Sequence, residues 1–211
     1  MDAQGVRRHR NADALMSRGR RSTLPEGFLP GIYTARAARG ALRWYLVHTP
    51  EGMERSTAEK IKKIIPAELL EDAFVISKER WVKRAGTWSK QVRQMYPEYF
   101  LVATRDAAAL DKALAKLSFH VRIAGSEEQA YQPMAREAQA WLEASMDENH
   151  VLRSSTAEIV GGELRIFAGP LVGQEPRVVR YDRRKRFCLV DVGHAEGGFV
   201  EALPLDIPFK S

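Results

Sequence analysis

The chain carries one cysteine, Cys188, in 211 residues. That excludes an intrachain disulfide and any zinc cage built on cysteine. Its setting between Phe187 and Leu189 predicts a core side chain rather than a nucleophile. Histidine is also sparse: His9, His48, His120, His150 and His194 are scattered, without metal-ligand spacing. No apolar run approaches the roughly 18 to 20 residues that a membrane span needs. The N-terminus is Arg-rich with no apolar stretch behind it, so no secretory signal is expected. No phosphate loop or serine-nucleophile elbow is found; "GPLVG" is too short and sits between strand-like runs. These absences point away from an enzyme, a cofactor or a metal, and toward a reducing, cytoplasmic setting.

Net charge is also scarce over most of the chain. The net charge is +6, but residues 1–40 hold eight Arg against three acids. Residues 41–150 balance at sixteen of each sign, and residues 151–211 hold nine basic against eight acidic. Basicity is therefore local. One cluster is the segment 78–93, with Lys78, Arg80, Lys83, Arg84, Lys90 and Arg93 against only Glu79. The other is Arg183-Arg184-Lys185-Arg186. Such clusters suit phosphate or an acidic protein face, or serve simply as solvated turns.

The periodicity gives the organisation. Residues 1–40 lack a sustained pattern and read as a mostly disordered Arg-rich tail. "RWYLVHT" alternates as a strand, with Trp44, Leu46 and His48 on one face and Tyr45 and Val47 on the other. Thr49 is expected to cap a helix with Pro50 at its first position and Ala58, Ile61, Ile64 and Ile65 as its apolar stripe. "AFVIS" is a strand, and the basic segment is a hairpin arm turning at Ala85-Gly86. "YFLVAT" is an apolar strand, Asp106 caps a second helix, and "HVRI" is a short strand. Residues 41–132 thus form an α+β sandwich, two helices on one side of a mainly antiparallel sheet. Residues 133–150 are a helix and linker, with Pro133 at the helix start and Met134, Ala138, Trp141 and Leu142 as its stripe. Residues 151–211 hold five short strands separated by Gly and Pro signals, as in a small β-barrel.

Two stretches carry a resemblance. "GELRIFAGPLVGQEPRVVRYDRRKRFCLVDV" looks like a KOW motif, in which a strand, a Gly-Pro turn, a second Gly, a strand, a basic turn and a strand follow in order. Pro176 stands where another Gly is common. "RWYLVHT", a helix, the basic arm and "MYPEYFLVAT" resemble the NGN domain of the NusG family of transcription elongation factors, which joins NGN to KOW by a linker. The resemblance covers residue 43 to about 207. The family's aromatic-Pro-Gly-Tyr element is Tyr96-Pro97-Glu98-Tyr99 here, with Glu98 in place of Gly. That departure and the Arg-rich extension tilt the resemblance toward specialised paralogues of the RfaH or LoaP kind.

The family implies a monomeric transcription elongation and antitermination factor that needs no cofactor. Its NGN domain would bind the β′ clamp helices of RNA polymerase through Trp44, Tyr45, His48, Tyr96, Tyr99 and Leu101, and would suppress pausing. For Trp44 and Leu101 a plain core role weighs at least as much. Lys83, Arg84, Lys90 and Arg93 would touch non-template DNA or nascent RNA, with Trp81 and Trp88 stacking on bases. Arg183, Arg184, Lys185 and Arg186 would meet RNA, or the domain would bind Rho or a ribosomal protein. Asp182 and Asp191 flank that cluster and would absorb part of its charge. The rival reading is a KOW-type RNA-binding protein that acts on ribosomes or RNA without polymerase.

Overall fold

A computed structural model describes residues 40–125, 130–193 and 199–210. The expected tail therefore lies, apart from Gly40, outside the described residues, as do His9 and His194. The fold is mixed α+β, mostly strands, with three α-helices among the described residues.

Strand β1 (Arg43–His48) is central to the first sheet. It pairs antiparallel with β5 (Tyr99–Thr104), Leu46 opposite Leu101 and His48 opposite Tyr99. β2 (Asp72–Phe74) borders β5, and β6 (Arg122–Ile123) borders β1, giving the order β2-β5-β1-β6. Side chains alternate as the sequence requires. Tyr45, Val47, Phe100 and Val102 meet two helices, α1 (Glu54–Ile64) and α2 (Ala107–Leu114), in one core. Asp106 caps α2 as expected, accepting from the Ala109 N–H at 3.0 Å.

α1 departs from expectation. It begins at Glu54, not at Pro50, and Thr49 instead bonds the Thr57 hydroxyl. Gly52 at φ +83° turns the chain first, which no helical residue allows. Ile64, the last helical residue, is 53% exposed, and the buried stripe is Glu54, Thr57, Ala58 and Ile61, followed by Ile65.

The basic arm is a hairpin of β3 (Ser77–Arg84) and β4 (Thr87–Gln94). Ala85 and Gly86 form its tip, both at positive φ, as the tightest antiparallel turns demand. The third helix, α3 (Arg136–Ser145), starts three residues later than the expected Pro133. Pro133 instead bridges Tyr45, and the Met134 N–H donates to the Trp44 carbonyl at 2.8 Å. The segment thus leaves the edge of β1 before it coils.

Beyond α3, β7 (Val151–Leu152) runs parallel to β3. A curled five-stranded sheet follows: β8 (Ser155–Val160), β9 (Glu163–Ala168), β10 (Val178–Asp182), β11 (Phe187–Asp191) and β12 (Val200–Lys210). Its order is β10-β11-β12-β8-β9. The Gly169-Pro170 turn works only with glycine. Gly169 has φ +94°, and a Cβ there would lie 2.6 Å from the Ser155 Cα.

The two sheets share a core. Trp44, Leu46 and Leu101 on one face of the first sheet, with Tyr96 of the turn before β5, pack in one cluster with Trp141 and Leu142 of α3 and with Leu203 and Leu205 of β12. The last sixty residues are thus closed against the first sheet rather than strung from a free linker.

Candidate nucleic-acid and partner interface

The six residues expected to meet a partner do not form one exposed patch in this arrangement. Trp44, Tyr96 and Leu101 are buried in the shared core, and Tyr45 is buried on the opposite face of β1 under the helices. His48 is exposed and Tyr99 half-buried, their rings edge to face at 5.3 Å. Burial holds the Tyr99 hydroxyl pKa above its usual value, and the Glu98 charge adds to this.

Tyr96 sits deepest. Burial raises its hydroxyl pKa well above the usual value, and the Glu201 carboxylate of β12 raises it further. The hydroxyl is buried without a hydrogen-bond partner. Such an orphan costs about 1–3 kcal/mol, which weighs against the closed arrangement and toward its release.

The Tyr96-Pro97-Glu98-Tyr99 turn explains its own sequence. Glu98 has φ +67°, the conformation that glycine adopts freely. Its N–H donates to the Glu54 carboxylate at 2.8 Å. Burial works against ionisation of Glu54, but hydrogen bonds from the backbone of Glu54, Glu98 and Gly52 and from Gln94 outweigh it. The carboxyl pKa is held below its usual value.

The arm has two faces. In its register Trp81 opposes Lys90 and Lys83 opposes Trp88, so these four side chains share one face. Each Lys lies over the indole directly opposite it: Lys83 Nζ is 5.9 Å from the Trp88 ring centre and Lys90 Nζ is 5.8 Å from that of Trp81. Arg84 and Arg93 belong to the other face, and Arg93 bonds Gln91 at 2.8 Å. All four expected arm cations are exposed.

The second basic cluster comes to the first. The Arg186 guanidinium lies 4.6 Å from the Trp81 ring centre and 5.1 Å from that of Trp88. Arg186 itself has φ +53° and pairs with Asp206 at 3.2 Å. Arg183 is spent on the Ile207 and Pro208 carbonyls, at 2.9 and 3.3 Å. Asp182 caps the turn by accepting from the Lys185 N–H at 2.9 Å. Of the cluster, Arg184 and Lys185 project with no partner given by the fold's hydrogen bonds or ion pairs among the described residues. Asp206 of β12, which the sequence did not single out, pairs with Arg186, while the flanking Asp182 holds the turn through the Lys185 N–H.

Other contacts reinforce this seam. Lys78 pairs with Glu201 and donates to the Ala202 carbonyl at 2.9 Å. Trp81 Nε1 donates to Ser154 Oγ at 3.0 Å. Glu79 accepts from the Ser154 N–H at 2.8 Å and pairs with Lys90 and Arg153. Burial opposes its charge, yet these partners hold its carboxyl below the usual range. Glu79, Ser154, Glu201 and Asp206 were not expected as functional residues. Glu79 alone carried a signal, as the one acid in a basic arm.

Cys188 is fully buried, its thiol pushed up to about 12 by burial, which makes it a poor nucleophile. Among the described residues no cluster of three or more metal-ligating side chains occurs, and no helix is long and apolar enough to cross a membrane.

No family model matches the chain, and no curated protein matches it.

Proposed function

We propose that the chain is a NusG-type transcription elongation and antitermination factor of the specialised kind, working without a cofactor. Residues 41–132 act as its NGN domain and residues 151–211 as its KOW domain. The observation that carries this reading is the element order. A four-stranded antiparallel sheet with two helices on one face and a basic hairpin is followed by a curled five-stranded sheet with a Gly-Pro turn and a basic turn. Those are the elements that the two sequence motifs call for, in the same sequence. The positive φ of Glu98 also supports it, since the family's pattern has glycine there.

The action is mechanical. The NGN domain binds the β′ clamp helices of RNA polymerase and favours the state of the enzyme that elongates, because it binds that state better. The arm cations follow non-template DNA or nascent RNA, and Trp81 and Trp88 offer stacking surfaces. The KOW domain takes RNA, Rho or a ribosomal protein. In the arrangement described here that sheet face is covered, so polymerase engages first at His48 and Tyr99, and the C-terminal unit must swing away to free Trp44, Tyr96 and Leu101; Tyr45, under the helices, serves the core instead.

Retention of the full chain on its cognate RNA polymerase tests this. Binding is expected, with a loss of at least about tenfold in affinity for Tyr99→Ala with His48→Ala, as for an aromatic contact at an interface centre. RNA binding without any polymerase binding is the result that favours the ribosome-acting or RNA-acting rival.

A further inference from the structure

The two faces of the arm differ in what the fold does with their charges. Alternation along the β3–β4 register puts Glu79, Trp81, Lys83, Trp88 and Lys90 on one face. Every charge there is engaged. Lys90 pairs with Glu79, Lys83 and Lys90 lie over the indoles, and Arg186 of the second basic turn lies over both rings. The opposite face carries Lys78, Arg80, Arg84 and Arg93 and no acid. Glu201, the acid that β12 brings to it, is taken by Lys78.

That leaves three arginines. Arg80, Arg84 and Arg93 are exposed, and none pairs with a carboxylate of the described residues. Arg80 and Arg84 stand four residues apart on β3, which sets their Cα atoms about 13 Å apart. Arg93 is the diagonal neighbour of Arg80 across the ladder, about 7–8 Å away. The pairing runs unbroken from Ser77–Gln94 to Arg84–Thr87, so the backbone fixes this spacing. Like charges held this close repel, and no ion pair within the described residues offsets it.

We propose that this face binds the phosphate backbone of a double-stranded nucleic acid, without regard to sequence. A guanidinium presents a fork that matches phosphate oxygens. Between the arginines stand Val82, Thr87, Ser89 and Gln91, so the face has hydroxyl and amide donors for phosphate and no aromatic ring. Surfaces for single strands combine cations with rings on which bases stack. Here the rings lie on the other face, under Arg186. A duplex needs no stacking partner and carries one charge per about 1.7 Å of its axis, so three arginines find phosphates at any position along it. The inference refines the nucleic-acid role proposed for the arm and rests on it: it assigns the duplex and adds Arg80.

The test is fluorescence anisotropy of the full chain with a labelled 20-base-pair DNA duplex, repeated over a series of salt concentrations. The variant Arg80→Gln/Arg84→Gln/Arg93→Gln changes only exposed side chains. A matched variant, Arg55→Gln/Lys63→Gln/Lys116→Gln, removes three exposed charges from the helical side. The arm variant is expected to lose affinity and to flatten the slope of log K against log salt by about 2.7, three phosphates at about 0.9 each. The same loss is expected on a duplex of unrelated sequence. An equal flattening in the helical variant would overturn the site, as would an unchanged slope in the arm variant. A loss confined to single strands would overturn the duplex assignment, and displacement of the duplex by polyglutamate at equal charge would assign the face to an acidic protein instead. Polymerase retention by the unaltered chain is read separately. Retention with an unchanged slope would overturn this inference and leave the proposed function standing; a flattened slope without retention would keep the duplex site and overturn the transcriptional reading.

Discussion

Single residues hold this fold in conformations their side chains resist. Glu98 occupies the left-handed region, where a non-glycine residue stores of order 1 kcal/mol. It is kept there by the Glu54 carboxylate, which binds its N–H. Glu98→Gly should therefore raise stability by about 1 kcal/mol, since the hydrogen bond is to backbone and survives the change. Urea unfolding of the two chains reads this directly; a destabilised Glu98→Gly would mean that the Glu98 side chain contributes more than its backbone strain costs. Arg186 is strained in the same way, and there the return is visible: the turn delivers its guanidinium onto two indoles.

At the scale of elements, the connection from α3 to β7 is where pH should act. His150 stacks on Phe74 with ring centres 4.1 Å apart, and its carbonyl accepts from the Ser77 N–H that opens β3. Burial lowers its pKa below the usual 6.5; Asp72 and Asp147 pull it up and Lys62 pushes it down, but burial dominates. The neutral ring is thus favoured in the fold. The unfolded chain binds the proton more readily, so this contribution is intact above the unfolded pKa of about 6.5 and fades as pH falls through the lower folded value. Stability measured from pH 7.5 to 5 should decline, and His150→Phe should flatten that slope. An unchanged slope in His150→Phe would assign the decline elsewhere.

The elements themselves were mostly legible. Alternation in "RWYLVHT" and "YFLVAT", the Ala85-Gly86 turn and the Asp106 cap are local signals, and each produced the element it announced. Helix starts were missed for a local reason and a distant one. Gly52 adds a turn that Thr49-Pro50 alone conceals, and Pro133 is captured by Tyr45 of β1, far away in the chain. The candidate site was legible as residue types and illegible as an arrangement. Two basic clusters could be read, but nothing local says that Arg186 lies over Trp81, because Asp206 and Glu201 of β12 and Ser154, between β7 and β8, hold that seam from elsewhere in the chain.

For the whole molecule, the closed arrangement decides what a partner meets. Trp44, Tyr96 and Leu101 share a core with α3 and β12, so an open state is needed before they can bind anything. Polar contacts add to the shared core at this seam. Stacking of Arg186 is worth about 0.5–2 kcal/mol per indole, and the Lys78–Glu201 pair adds to it. Against these stands the unpartnered Tyr96 hydroxyl. On the proposed function, apparent affinity scales with the fraction of chains that are open, so loosening the seam should strengthen polymerase binding.

The measurement that bears most directly on this is the affinity of RNA polymerase for the full chain and for the variant carrying Arg186→Ala with Glu201→Lys. Both changes lie on the C-terminal unit, outside the surface offered to polymerase. The variant is expected to bind at least about tenfold more tightly, a shift of about 1.4 kcal/mol in the opening equilibrium. Equal or weaker binding by the variant would contradict a closed state that withholds the interface, and no binding by either chain would contradict the transcriptional reading itself.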